Sequence, residues 1–281
     1  LSDFLTKLQW RGQISCYVSG CIAFHAAASG SWADVKTNID NLKATAKELD
    51  LSLTGPLELL ITYFAGVFYQ GIGDLDAALE NFRDKRFNLP PESDPAMTSR
   101  SVDQVERDIS LLAALNTLWI LQDGARKNLT TNTALIARLQ PFCANHLNRE
   151  IQTAYNLIVA TVETDPPTPL YKVKNYLKRA LDGAQATANN QFLCITLNVM
   201  CSKFFSNVVG LQAEKSATAA DHQAKKSGNP LWKSVAAQML SRSLEVNGKK
   251  SDSYAAMNQA RTYTSELQAA QGVASPFGRL A

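Results

Sequence analysis

Residues 57–91 read LELLITYFAGVFYQGIGDLDAALENFRDKRFNLPP, and the spacing within this stretch decides the fold. Apolar residues recur at helical period through 56–72 and again through 75–87. Gly66 stands at a small-residue site where one helix must approach the next closely, and Tyr69 follows three residues on. Gly73-Asp74 make the turn, Ala78 offers close packing from the second helix, and Phe82 fills the space that Gly66 leaves. Pro90 ends the unit, because proline cannot continue a helix. Lys85 takes a place where alanine would pack more tightly. The stretch predicts two antiparallel helices whose contact is shaped around one glycine and one aromatic ring.

That arrangement is the helix–turn–helix spacing of the tetratricopeptide (TPR) repeat. A second unit fits at 16–49 in the same register. Ala23 and Ala26 take the small and aromatic sites, Gly30 the turn, and Val35, Ile39 and Leu42 the face of the second helix. A looser unit spans 151–187. Its first helix carries Ile151, Ala154, Tyr155, Ile158 and Val162, a Pro-rich turn follows, and Leu170, Val173, Leu177 and Ala180 face back. The pairs 190–226 and 230–271 continue with degenerate turns. Helices are expected near 2–9, 13–29, 32–48, 56–72, 75–87, 102–123, 131–145, 147–164, 169–187, 190–208, 211–226, 230–246 and 251–271. Ser251-Asp252 offers an N-cap for the last of them. Paired helices of this length cannot bury their faces alone and must stack on their neighbours. The fold class is therefore all-α, an α-α superhelix of TPR-like hairpins; an ordinary helical bundle is the alternative. The expected organisation is N-terminal hairpins at 1–89, a flexible loop at 90–103 around Pro90-Pro91 and Pro95, C-terminal hairpins at 104–271, and a tail at 272–281.

Composition fits an ordered chain with ample core. Its 281 residues are 46% hydrophobic and 19% charged, with 14 glycines and 10 prolines. A net charge of +3 is too mild to imply a nucleic-acid or acidic-membrane partner by itself. No run approaches the length of a membrane span. The chain opens on Leu1 with no leader pattern, and reads as part of a longer gene product. Five cysteines (Cys16, Cys21, Cys143, Cys194, Cys201) are an odd, sparse set that suits a reducing compartment and core thiols.

Catalytic chemistry finds little support. His25, His146 and His222 each stand apart from any metal-ligand spacing. Asp74 and Asp76 sit at a helix start, where carboxylates cap and oppose the dipole. Glu106 and Asp108 do not face each other on a helix. The chain reads as a non-enzyme without a cofactor or metal. Trp119 and Trp232 are expected in the core, and Trp10 anchoring the first helix. Lys225-Lys226 and Lys249-Lys250 are placed at helix ends, where cations complement the dipole. Lys172, Lys174, Lys178 and Arg179 form the polar side of an amphipathic helix; the alternative for these basic groups is a docking surface for an acidic partner or for DNA phosphates. In a TPR superhelix the first helix of each pair lines a channel for an extended peptide. In this register Tyr17, Phe24, Leu60, Tyr63, Val67 and Gln70 point toward it. They are apolar and aromatic rather than basic, which predicts an apolar-rich partner segment.

The chain also resembles a known family, the cohesin loading factors, TPR-type subunits of the cohesin loader. The closest stretch is Leu231-Trp232-Lys233-Ser234, then Met239 and Leu240, then Ser253-Tyr254-Ala255-Ala256-Met257-Asn258-Gln259. A second is Tyr171-Lys172-Val173-Lys174-Asn175-Tyr176-Leu177-Lys178-Arg179-Ala180-Leu181. Leu8-Gln9-Trp10 and the unit from Gly73 to Phe82 follow in order. The match corresponds roughly to the C-terminal half of a family member, with 90–103 and 165–169 as insertions and a poor fit over 201–215. The resemblance implies a non-enzymatic scaffold that wraps the extended N-terminal segment of the large HEAT-repeat loader subunit and acts in the nucleus. It also implies a surface that directs the loader to chromatin, for which Lys249 and Lys250 are the candidates, and indirect ties to cohesin. A TPR scaffold of another assembly, such as a ubiquitin-ligase or signalosome-like complex, is the alternative. Neither a small-molecule substrate nor a membrane is expected as a partner.

Overall fold

The computed structural model describes residues 2–48, 56–87, 102–122, 126–205 and 210–271. Among them the regular structure is helical throughout. The helices are α1 (Ser2–Ser29), α2 (Trp32–Glu48), α3 (Pro56–Ile72), α4 (Leu75–Phe82), α5 (Val102–Ile120) and α6 (Leu129–Cys143). They continue as α7 (Arg149–Thr161), α8 (Leu170–Ala186), α9 (Asn190–Met200), α10 (Leu211–Ser227), α11 (Pro230–Val246) and α12 (Lys250–Gln271). The chain divides into two compact units, Leu1–Ile120 and Leu121–Ala281. Residues 90–101 of the expected loop and the expected tail at 272–281 lie outside the described residues.

In the first unit α1 pairs with α2, and α3 with α4. In addition α1 touches α3, and α3 touches α5. Contact between each helix and the next-but-one is what stacked hairpins produce. Turns close on Gly30 and Gly73, whose φ values of 78° and 86° lie in the left-handed region that a side chain disfavours. Asp74 then caps α4, its carboxylate accepting from the Ala77 amide at 3.1 Å. Ala23, Ala26, Val35, Ile39 and Leu42 are all buried, as the register of the 16–49 unit requires. Gly66 meets Phe82 as the sequence predicts: a Cβ added there would stand 2.6 Å from the ring. Trp32 lies against Gly71 in the same way, closing α2 onto α3.

The second unit repeats the pattern. The hairpins α7/α8, α9/α10 and α11/α12 pack in sequence, and α9 touches both α7 and α11. Ile151, Tyr155, Ile158 and Val162 are buried, as are Val173, Leu177 and Ala180 of the returning helix, and α7 packs on α8. Alanines at 213, 217, 220 and 224 line the buried face of α10. Small side chains let α9 and α11 approach there, and Cys194 and Ala236 complete that core with Trp232 packed on it. Serines link the last hairpin: Ser241 donates to the Ser253 carbonyl at 2.8 Å, and Ser234 to that of Ala260 at 3.2 Å. Asn229 caps α11 through the Leu231 amide, with Pro230 at its first turn.

Several expectations change. The break expected at 10–12 is absent and α1 is continuous, because one interior Gly12 costs a helix only about 1 kcal/mol. The helix expected at 75–87 stops at Phe82. Asp84 accepts from both the Arg86 amide and its Nε, so an Asp-centred turn diverts the chain. The helix expected at 190–208 leaves α geometry after Met200 for a π-helical turn, Cys201–Phe205. The last helix starts at Lys250 rather than after a Ser251-Asp252 cap. Leu170, the first residue of α8, is 58% exposed rather than facing the hairpin core. Trp119 and Trp232 are half-buried, since indole seldom buries completely; Trp10 has no described side chain.

Candidate protein-binding surface

Of the six residues expected to face a channel, Phe24 is the most open among those described, at 63% exposure on α1. The side chain of Tyr17 lies outside the described residues. Leu60 packs against the core formed by α1, α2 and α3, crossing α1 at Gly20. Tyr63 sits between that core and the one built by α4 and α5. Its ring tilts against Phe82 at a centroid distance of 5.8 Å. Its hydroxyl accepts from Asn116 Nδ2 at 3.3 Å, and burial pushes the phenol up to about 12. Val67 packs on the α4/α5 core, and Gln70 is half-buried. Leu60, Tyr63 and Val67 thus spend much of their surface on packing between hairpins, and Phe24 does not.

Two residues of this surface were not anticipated: Val18 and Ile22, 47% and 48% exposed. They lie four apart on α1 and form one stripe. A sequence signal was available. Helix α1 is apolar nearly all round through Val18–Ala28, like α3, and such a helix normally needs cover on every side. Helix α3 has it, from α1, α2, α4 and α5. Helix α1 buries Cys16, Ala23 and Ala26 while Val18, Ile22 and Phe24 remain open. Cys21 is exposed on the same side, against the expectation of a core thiol. The other four thiols are buried, and burial pushes that of Cys194 up to about 12.

Lys249 and Lys250 stand at the start of α12, not at a helix C-terminus. The dipole there opposes them, so the dipole account of this pair is corrected. Glu214 answers Lys249, the ammonium donating at 2.7 Å. That bond, with one from Asn247 Nδ2, holds the Glu214 carboxyl below its ordinary range. Lys250 is exposed. Lys225 and Lys226 occupy the last turn of α10 as expected, and Lys172, Lys174, Lys178 and Arg179 line the exposed side of α8.

Histidine has ordinary duties here: His146 Nδ1 accepts from the Asn148 amide at 3.0 Å. Among the described residues, no three His, Cys, Asp or Glu side chains are grouped to hold a metal ion. None of the described helices is long and apolar enough to cross a membrane.

The family model described as cohesin loading factor matches residues 1–251. The chain belongs to the cohesin loading factor family. Comparison with curated proteins and with solved structures returned no significant match. Membership connects this helical chain to cohesin loading, and the matched span includes α1 to α11 and the exposed stripe of α1.

Proposed function

We propose that this cohesin loading factor is a non-enzymatic scaffold subunit of the cohesin-loading complex. It holds an extended segment of the large HEAT-repeat loader subunit and helps direct the loader to chromatin, in the nucleus, for sister chromatid cohesion. Within the family assignment, the observation that carries this reading is the open apolar surface of α1: Val18 and Ile22 on one stripe, and Phe24 exposed on a separate line of the same helix. A greasy helix left open on one side gains free energy when another chain covers it, about 1.5–3 kcal/mol for each large side chain fully buried. Tyr17, Leu60, Tyr63, Val67 and Gln70 extend the proposed surface from α1 onto α3. Lys249 and Lys250 remain the proposed targeting patch, with Lys250 the more available of the two.

Co-expression with the large loader subunit tests the reading. The two chains are expected to co-purify, and Ile22→Glu with Phe24→Glu to release the partner while leaving the circular dichroism spectrum unchanged. Failure of the wild-type chains to co-purify, or full retention by the double variant, overturns it.

A further inference from the structure

We propose that Thr168 is a phosphorylation site for a proline-directed serine/threonine kinase, presented by the α7–α8 turn in the folded chain. The inference stands on residues 163–174 and is independent of the partner assigned above. The turn reads Glu163-Thr164-Asp165-Pro166-Pro167-Thr168-Pro169. Thr168 has proline at the following position and two positions before, the pattern such kinases read. Ser275-Pro276 is the chain's other Ser/Thr-Pro pair, and it lies outside the described residues.

Geometry makes the short motif specific. Three prolines keep the segment out of helix by fixing φ and removing amide donors, and the turn doubles back so that the Thr164 and Thr168 hydroxyls meet. Pro169 has φ −57° and ψ 141°, and the residue before a proline is itself excluded from helix. Residues 165, 166, 167 and 169 are exposed, and Thr168 is half-buried. The turn is held from behind, on the α6 side. Asn132 Nδ2 donates to the Glu163 carbonyl at 3.1 Å, and the Asp165 amide donates to Thr133 Oγ1 at 3.0 Å. Lys127 pairs with Glu163. The Thr164 hydroxyl donates to the Pro166 carbonyl at 2.9 Å. Its proton is therefore committed, and Thr168 is the donor in the 3.0 Å contact between the two hydroxyls. Presenting Thr168 Oγ1 costs that contact and a local opening of the 164–168 turn, not global unfolding.

In the transfer, Thr168 Oγ1 forms a bond to the γ-phosphorus of ATP. The bond from that phosphorus to the bridging oxygen breaks, ADP leaves with the electron pair, and the hydroxyl proton passes to the base of the kinase. The product oxygen can no longer donate to Thr164. The added dianion stands just before α8, whose N-terminus has no side-chain cap, with Lys172 in the first turn. Helix dipole and ammonium favour it there; Asp165, in the same turn, opposes it. Modification would thus recharge the end of α8 where Leu170 and Tyr171 are exposed.

The purified full chain, incubated with ATP and a cyclin-dependent or mitogen-activated kinase, tests this by mass spectrometry. A free peptide spanning 162–174 serves as reference. Phosphate is expected on Thr168 at a rate within about tenfold of the peptide, whereas a site needing global opening would lag by about a thousandfold or more. Thr168→Val should abolish the signal, Ser275→Ala leave it, and Pro169→Ala reduce it strongly with the hydroxyl still present. An unmodified peptide, a modified peptide beside an unmodified folded chain, or indifference to Pro169→Ala would each overturn the proposal.

Discussion

Replacing Gly66 with alanine places a methyl 2.6, 2.8 and 2.9 Å from Cε1, Cδ1 and Cζ of Phe82. Carbon atoms pack at about 3.5–4.0 Å, so the ring must retreat by about 1 Å. It has little room. Phe82 is 3% exposed, with Ala78 and Ala113 in the same core and Tyr63 packed against it. Overpacking of this kind costs about 1–3 kcal/mol. Alanine in place of glycine returns about 1 kcal/mol of helix propensity. The net expectation for Gly66→Ala is a loss of about 0–2 kcal/mol. Gly20→Ala supplies the control, because its Cβ would meet Leu60 Cδ2 at 3.6 Å, an ordinary contact. That variant keeps the propensity gain of about 1 kcal/mol without the clash. The two should therefore differ by the overpacking cost, about 1–3 kcal/mol. Urea titration followed by tryptophan fluorescence reads the difference, since Trp10, Trp32 and Trp119 all lie within the first unit. Adding Phe82→Leu to Gly66→Ala should recover part of the loss, a coupling of about 1 kcal/mol or more. Equal effects of the two alanines, or no coupling to Phe82, would refute the hairpin packing described here.

Three further outcomes follow from named contacts. Gly183→Ala would drive a methyl into Thr153 and should lower the stability of the second unit by about 1–3 kcal/mol, with Thr153→Ser giving no relief because the clash is with Oγ1. Asp84, held at about 2 chiefly by its side-chain bond to Arg86, has a folded value below its unfolded one. Its stabilisation is present above about pH 4 and lost as pH falls through about 2, so thermal melts of wild type and Asp84→Asn should converge toward pH 2 and separate near pH 6. Tyr63, raised to about 12 by burial, should be missing from the phenolate absorbance that develops near pH 10, and Tyr63→Phe should leave that early phase unchanged. Its raised value also makes stability fall between pH 10 and 12, a loss that Tyr63→Phe should diminish.

The hairpins were legible where one residue type answers one geometric demand. Gly66 with Phe82 and Gly73 with Asp74 each state a requirement within one hairpin, and the structure meets both. Boundaries were less legible where a contact distant in sequence decides. Helix α4 ends at Phe82 because Asp84 and Arg86 close a turn, and Arg86 also pairs with Glu58 of α3. Lys249 sits at an unfavourable helix end because Glu214, on another helix, compensates it. Gly12 looked like a break, yet α1 continues through it. At the candidate surface, Phe24 could be read from the repeat register. Leu60, Tyr63 and Val67 occupy the same register but also serve the packing between hairpins, a division that depends on which neighbours arrive. Val18 and Ile22 escaped because the all-round apolar character of α1 signals a need for cover without saying which positions will lack it.

Hydrogen exchange on the cohesin loading factor, alone and bound to the large HEAT-repeat subunit, tests the central claim most directly. Protection concentrated in α1 and α3, reduced by Ile22→Glu with Phe24→Glu, is the expected result. A complex that leaves α1 and α3 unchanged, or two chains that do not associate, would contradict it.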